Sequence, residues 1–130
     1  MNNNRFGIFM HELVGTMVLI LLGDGVVANV VFGTRLFGLP DVGFIAGDWN
    51  TIAWGWGMAV AMAVYVAGGL SGAHINPAVT IAGVVRRGLK VSDAIAYILG
   101  QMVGAFIGAF LVWALHWGDF AASGYANVFY

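Results

Sequence analysis

A chain of 130 residues in which 61% are hydrophobic, 8% are charged and 20 are glycine lies far from the roughly 25% charged composition of soluble domains, and it reads as an integral membrane protein with no soluble domain. Its net charge of −1 argues against a nucleic-acid partner or a polybasic lipid-binding surface. The lack of cysteine excludes disulfides, thiolate metal sites and cysteine nucleophiles, and His11, His74 and His116 have no metal-ligand spacing, so no metal or cofactor is expected.

Met1 to Phe6 is a short polar tail with Arg5. The apolar run behind it continues to about Phe32, too long for a leader core, so no cleavage is expected. Helix 1 is read over about residues 6–32, with Glu12 and Asp24 inside it. Ionisable groups within a span signal a functional or structural role by default. These two lie about 18 Å apart along the axis and about 120° apart around it, so they are not one paired acid–base site. For Asp24, in Gly23-Asp24-Gly25, the expected role is a carboxylate bonded to backbone amides near the outer end of helix 1.

Gly33 to Asn50 reads as a turn-rich loop with Arg35, Pro40, Asp41, Gly47 and Asp48. Trp49 and Trp54 suit an interfacial belt. Helix 2 follows over about 51–67, where Gly57 with Ala61 and Ala59 with Ala63 are spaced four apart, a pattern that lets another backbone come close. Gly68, Gly69 and Gly72 then break it into an extended loop with exposed carbonyls. Trp49 to Val85 carries no acidic or basic side chain, yet it is too long for one span and is interrupted, so its second piece is shorter than a span. Asn76 is a strong N-cap and Pro77 fits the first helical position. The new helix, about 76–85, measures about 15 Å, half of a hydrocarbon core of about 30 Å. Arg86, Arg87 and Lys90 suit its C-terminus at the cytoplasmic interface, with Gly88 as the stop. The N-terminus of this half-helix is left near the bilayer midplane, where irregular backbone is tolerated only inside protein or around a wet cavity, and a pore or substrate site is the natural reason.

Ser92 and Asp93 are expected to cap and charge helix 3, read over about 92–117. Gly100, Gly104 and Gly108 form a doubled GxxxG face for a close helix contact. Gln101 beside it needs a partner in hydrocarbon, and an interhelical hydrogen bond is favoured over a catalytic role. Trp113, Trp117 and Phe120 mark the far interface, and Asp119 to Tyr130 reads as a loop-like tail. Arg5, Arg86, Arg87 and Lys90 fall on one side of such a topology and Arg35 on the other, which places the N-terminus in the cytoplasm.

The stretch Ser71-Gly72-Ala73-His74-Ile75-Asn76-Pro77-Ala78-Val79-Thr80, with Glu12-Leu13-Val14-Gly15-Thr16 and Gln101-Met102-Val103-Gly104-Ala105-Phe106, resembles the major intrinsic protein family of aquaporins and glycerol facilitators. Trp56 to Tyr65, running without a gap into Ser71, looks especially like a bacterial glycerol facilitator. The resemblance implies an all-α membrane protein, and this chain is similar to the first of the family's two inverted repeats, with three transmembrane helices and one re-entrant half-helix. A second Asn-Pro-Ala and the arginine after it are absent from these 130 residues.

The resemblance implies roles residue by residue. Asn76 would donate its amide to a passing oxygen while its carbonyl caps the half-helix, and Pro77 and Ala78 would pack against an opposed half-helix. Gly72, Ala73 and His74 would offer backbone carbonyls along one pore wall. Glu12 would hydrogen-bond the re-entrant loop, a structural role favoured over solute binding, with Gln101 and Gly104 as further support. Trp56 would align with the filter aromatic, against the alternative of an interfacial anchor. His74 is expected to be held by a hydrogen bond and not to act as an acid or base.

The function expected is a passive channel for glycerol and other small uncharged solutes including water, needing a second repeat or complementary half. The alternatives are a water-selective aquaporin, a coupled secondary transporter using Glu12 or Asp24 for protons, and a truncated non-conducting membrane module. No nucleophile with a base, metal cluster or phosphate loop suggests an enzyme. The expected partners are the lipid bilayer, small neutral solutes and, for a complete protein, further copies of itself, four in the family. The expected location is a bacterial cell membrane.

Overall fold

Nearly every backbone polar group in a bilayer must be satisfied within its own segment, and this chain meets the demand with helices. The structure, a computed structural model, describes residues 4–36, 47–123 and 128–129. Its elements are α1 (Arg5–Leu36), α2 (Trp49–Ser71), α3 (Pro77–Val85), α4 (Val91–Leu115) and α5 (Trp117–Ser123). Three of them, α1, α2 and α4, are long and apolar enough to cross a membrane. The fold is therefore all-α, with three membrane-length helices and a half-length one.

Helix α1 is the middle of the bundle, with α2 and α4 both packed along it. Small residues set both contacts. A Cβ added at Gly100 would lie 2.5 Å from the carbonyl oxygen of Phe9, and one at Gly108 would lie 2.7 Å from that of Met17, while Gly104 sits against the carbonyl of Leu13. Steps of four along α4 thus match steps of four along α1 in the same direction, so the two helices run parallel with their backbones in direct contact. On the other side, Gly15 faces Ala67 and Gly55 faces Val26, an antiparallel register. Ala59, Ala63 and Ala67 form the buried stripe of α2. Of the two small-residue pairs expected on this helix, Ala59 with Ala63 is in the contact, whereas Gly57 opens onto empty space and Ala61 is exposed.

Both ends of the bundle are tied. Arg5 donates through Nε to Asp93 Oδ1 and through Nη2 to Ser92 Oγ, each at 2.9 Å, joining the starts of α1 and α4. At the other end Ala28, Phe32, Val112, Phe120 and Val128 make an apolar core, with the rings of Phe32 and Phe120 edge to face at 4.9 Å. Phe120 is therefore a core residue and not an interfacial marker, because the segment expected as a tail from Asp119 forms α5 through Ser123 and folds back onto α1.

Several boundaries differ from expectation for identifiable reasons. Helix α1 continues to Leu36. Helix α2 starts at Trp49 because Asp48 caps it, accepting the N–H groups of Asn50 and Thr51 while Thr51 Oγ1 accepts from the Asp48 N–H. It does not break at Gly68 and Gly69: both lie within the helix, and the chain leaves it at Gly72, whose φ is 78°. Helix α3 ends in a pair of reversed bonds, Gly88 N–H to Gly83 carbonyl and Arg87 N–H to Val84 carbonyl. The residue taking the left-handed conformation there is Arg87, at φ 58°, and not Gly88. Helix α4 has Lys90 at its N-cap with no side-chain cap bond, since it starts at Val91 and leaves Ser92 and Asp93, expected to cap it, inside the first turn, where Asp93 supplies the expected charge and both oxygens meet Arg5. Of the loop expected over 33–50, Pro40, Asp41 and the side chain of Arg35 lie outside the described residues.

Candidate functional site

Between α2 and α3 the backbone adopts a conformation that its residues resist. Gly72, Ala73 and Ile75 have φ of 78°, 52° and 43°. Glycine accepts this freely, but alanine and above all β-branched isoleucine do not, at about 1–3 kcal/mol each. Such strain persists only where the surroundings impose it, and here they do. The fully buried carboxylate of Glu12 accepts the N–H of His74 on Oε1 at 2.9 Å and the N–H of Ile75 on Oε2 at 2.7 Å. Ser71 Oγ accepts the N–H of Ala73 at 3.0 Å and donates to the carbonyl of Ala67, and the Tyr97 hydroxyl donates to the carbonyl of Ser71 at 2.6 Å.

A second layer braces the first. Gln101 Nε2 donates to Glu12 Oε2 at 2.8 Å and to Thr80 Oγ1 at 3.0 Å, which orients its amide, since a carbonyl oxygen turned towards the carboxylate would be repelled. Thr80 donates to the carbonyl of Asn76, so the 3.1 Å contact of its oxygen with His74 Nδ1 assigns a proton to that nitrogen. The His74 ring also stacks on Tyr97 at 4.4 Å. Every amide of residues 73–75 is thus taken on the Glu12 and Ser71 side. Among the described residues, the carbonyls of Gly72, Ala73 and His74 accept no hydrogen bond.

Asn76 ends this segment in extended backbone, and its Oδ1 accepts the N–H of Ala78 at 2.8 Å, capping α3 ahead of Pro77. With Oδ1 committed to the cap, Nδ2 is left as a donor with no partner among the described residues, on an exposed side chain. Asn76 and Pro77 share the wall of a cavity of about 290 Å³ with Trp56, Leu19, Ile75 and Gln101. Trp56 is half-buried there, whereas Trp54 is 76% exposed. Gly72, Ala73, His74 and Ala78 adjoin that wall along the chain without lining it, and Gly104 belongs to the α1–α4 contact.

Asp24 stands apart. It is buried, and no hydrogen bond to it is found among the described residues, contrary to the expected bonding to backbone amides. The reason is local: α1 runs unbroken past it, so the neighbouring amides are spent in the helix. Ser71, Thr80 and Tyr97 are the residues that reading from sequence missed. The signal for Tyr97 was its place one turn before Gln101, and for Thr80 its place one turn after Asn76, each a polar group on the face of a polar neighbour.

Three membrane-length helices, a strained connecting segment and a capped half-length helix define an all-helical membrane protein. Comparison with known proteins gives the family: the major intrinsic protein family matches residues 3–129, and the chain belongs to it. It is 48% identical over 113 residues to the glycerol uptake facilitator protein of Streptococcus pneumoniae, covering 87% of this chain and 44% of that one. It is 43% identical over 109 residues to the glycerol uptake facilitator protein of Bacillus subtilis, covering 84% of this chain and 37% of the relative. The X-ray structure of the aquaglyceroporin from Plasmodium falciparum superposes with a TM-score of 0.78 at 34% identity, covering 94% of this chain and 46% of that one. The chain thus spans less than half the length of these relatives.

Proposed function

We propose that residues 1–130 form the first repeat of a passive channel for glycerol and other small uncharged solutes, water included, and that conduction requires a second repeat. The observation that carries this reading is the division of labour around Glu12. Its carboxylate gathers the amides of the re-entrant segment, which leaves the carbonyls of Gly72, Ala73 and His74 as free acceptors next to the free amide donor of Asn76. A hydroxyl both donates and accepts, so it can exchange partners along such a row without chemical change. The positive end of α3 and the incomplete hydration of a narrow path disfavour cations. Trp56 supplies the apolar surface for the solute's carbon atoms, the usual division of a small-molecule site.

The site is open on the side away from Glu12. Val79 and Ile81 on α3 and Phe106 and Phe110 on α4 are 49%, 55%, 73% and 60% exposed, apolar surface that a complementary half bearing Pro77- and Ala78-facing groups would help to cover. In the bacterial cell membrane the chain would have its N-terminus inside, since Arg5, Arg86, Arg87 and Lys90 cluster at one end of the bundle. The complete protein is read as a homo-oligomer, a tetramer by family resemblance.

The test uses liposomes in a glycerol gradient, with the 130-residue chain alone and the same chain joined to the second half of a glycerol facilitator. The joined protein should re-swell well above protein-free liposomes, with or without a pH gradient. The chain alone should stay near the protein-free rate, because copies inserted with one charge bias are parallel and cannot oppose their half-helices. No glycerol entry through the joined protein would reject the channel reading, a requirement for a pH gradient would point to coupled transport, and entry through the chain alone would reject the need for a second repeat.

A further inference from the structure

Trp56 rests on a site made for it in α1. A Cβ built on Gly23 would lie 2.6 Å from both Cε3 and Cζ3 of the Trp56 ring and 2.7 Å from Cη2. Three consecutive atoms of a six-membered ring are equidistant only from a point over its centre, so the face of the benzo ring lies flat on the helix at Gly23. That glycine is buried, and Leu19 and Ile20, one turn earlier on α1, line the same cavity as Trp56 and Asn76. Glycine within a helix is otherwise unfavourable. Its neighbour Gly25 meets nothing at the same position, so the close approach is particular to residue 23.

We infer that Gly23 is a positioning residue that sets how wide a solute the path admits, by seating the Trp56 ring against α1 and out of the cavity. Carbon atoms in contact rest at about 3.5–4.0 Å, so even one methyl group at position 23 would push the ring off α1 by about 1 Å. With one face closed by the helix, the ring gives way on the side that borders the cavity. Glycerol should feel this narrowing more than water. The inference rests on the reading of Trp56 as a wall of the solute path.

The experiment measures glycerol and water permeability in liposomes for a complete channel carrying this chain as its first half. Gly23→Ala should lower the glycerol-to-water ratio by about tenfold, the scale on which one methylene is discriminated in a fitted pocket. Gly25→Ala, the control for helix propensity, should leave the ratio unchanged. Alanine has no ring to displace, so adding Trp56→Ala to Gly23→Ala should return the ratio to that of Trp56→Ala alone. An unchanged ratio in Gly23→Ala, or a double variant no different from Gly23→Ala, would overturn the inference. If Gly23→Ala fails to fold, the double variant still decides: folding restored supports the seat, and folding still lost overturns it. Trp56→Phe and Trp56→Ala separate the two ideas. An altered ratio there with none in Gly23→Ala sinks only the seat, and no change in either Trp56 variant sinks the wall reading beneath it.

Discussion

The carboxylate of Glu12 holds the N–H of Ile75 at 2.7 Å while Ile75 sits at φ 43°, a conformation that a β-branched residue does not adopt unaided. A residue in the first third of the chain therefore shapes a segment 63 positions later. Glu12→Gln leaves one acceptor for two backbone amides and turns an NH2 towards other donors. It should destabilise the fold by about 1–3 kcal/mol, the cost of an unsatisfied buried group. Thermal unfolding in detergent reads this, and pairing the change with Gln101→Glu should recover part of the loss by returning a carboxylate to the cluster. A wild-type midpoint for Glu12→Gln would show that the segment holds its shape without the clamp.

Asn76→Asp keeps an equally good cap but replaces the Nδ2 donor with negative charge. Folding should be retained, while glycerol permeation falls and exclusion of small cations weakens in a complete channel. Permeation and cation exclusion both at wild-type levels would remove Asn76 from the solute path.

Gly104 faces the backbone of Leu13 with no room for a side chain, whereas Gly57 faces open space. Gly104→Leu should cost about 1–3 kcal/mol or more through overpacking. Gly57→Ala should be neutral or stabilise by up to about 1 kcal/mol, since alanine is the better helix former. Equal effects of the two on detergent stability would contradict the close α1–α4 contact.

Arg87 occupies the left-handed position that ends α3. Arg87→Gly should relieve about 1 kcal/mol of conformational cost and raise the unfolding midpoint by a few degrees. Arg87→Ala keeps the strain and loses the charge, so it should give no rise. A rise of the same size in both would assign the effect to charge.

The half-helix was legible because its signals are local: the Asn76-Pro77 pair states where a helix begins without reference to any other part of the chain. The spans were legible from the spacing of charges. What escaped was decided by partners distant in sequence. Gly68 and Gly69 look like a break, yet lipid offers no other partner for their backbone groups, and the helix continues until Gly72 provides a conformation that ends it. Ser92 and Asp93 look like caps, yet the helix starts ahead of them at Val91, and their oxygens meet Arg5, 87 and 88 positions earlier. Thr80 and Tyr97 carry no motif of their own role, because their function is to complete a network whose other members lie on α1, α2 and α4. Among the site residues, the geometry brings Trp56, Asn76 and Pro77 to one cavity wall.

The long reach of Glu12 also imposes an order on biosynthesis. Its carboxylate lies on α1, made before α2, α3 and α4, but Gln101 follows 89 residues later. At about 5–20 residues per second, translation alone takes roughly 5–20 s to deliver that partner. Until residues 74 and 75 are made, the Glu12 carboxyl in α1 has none of its backbone donors, and until α4 arrives it lacks Gln101, so α1 must stay beside water or the insertion machinery for that interval. The bundle is thus assembled around a helix that cannot settle before its neighbours, although it is made before them.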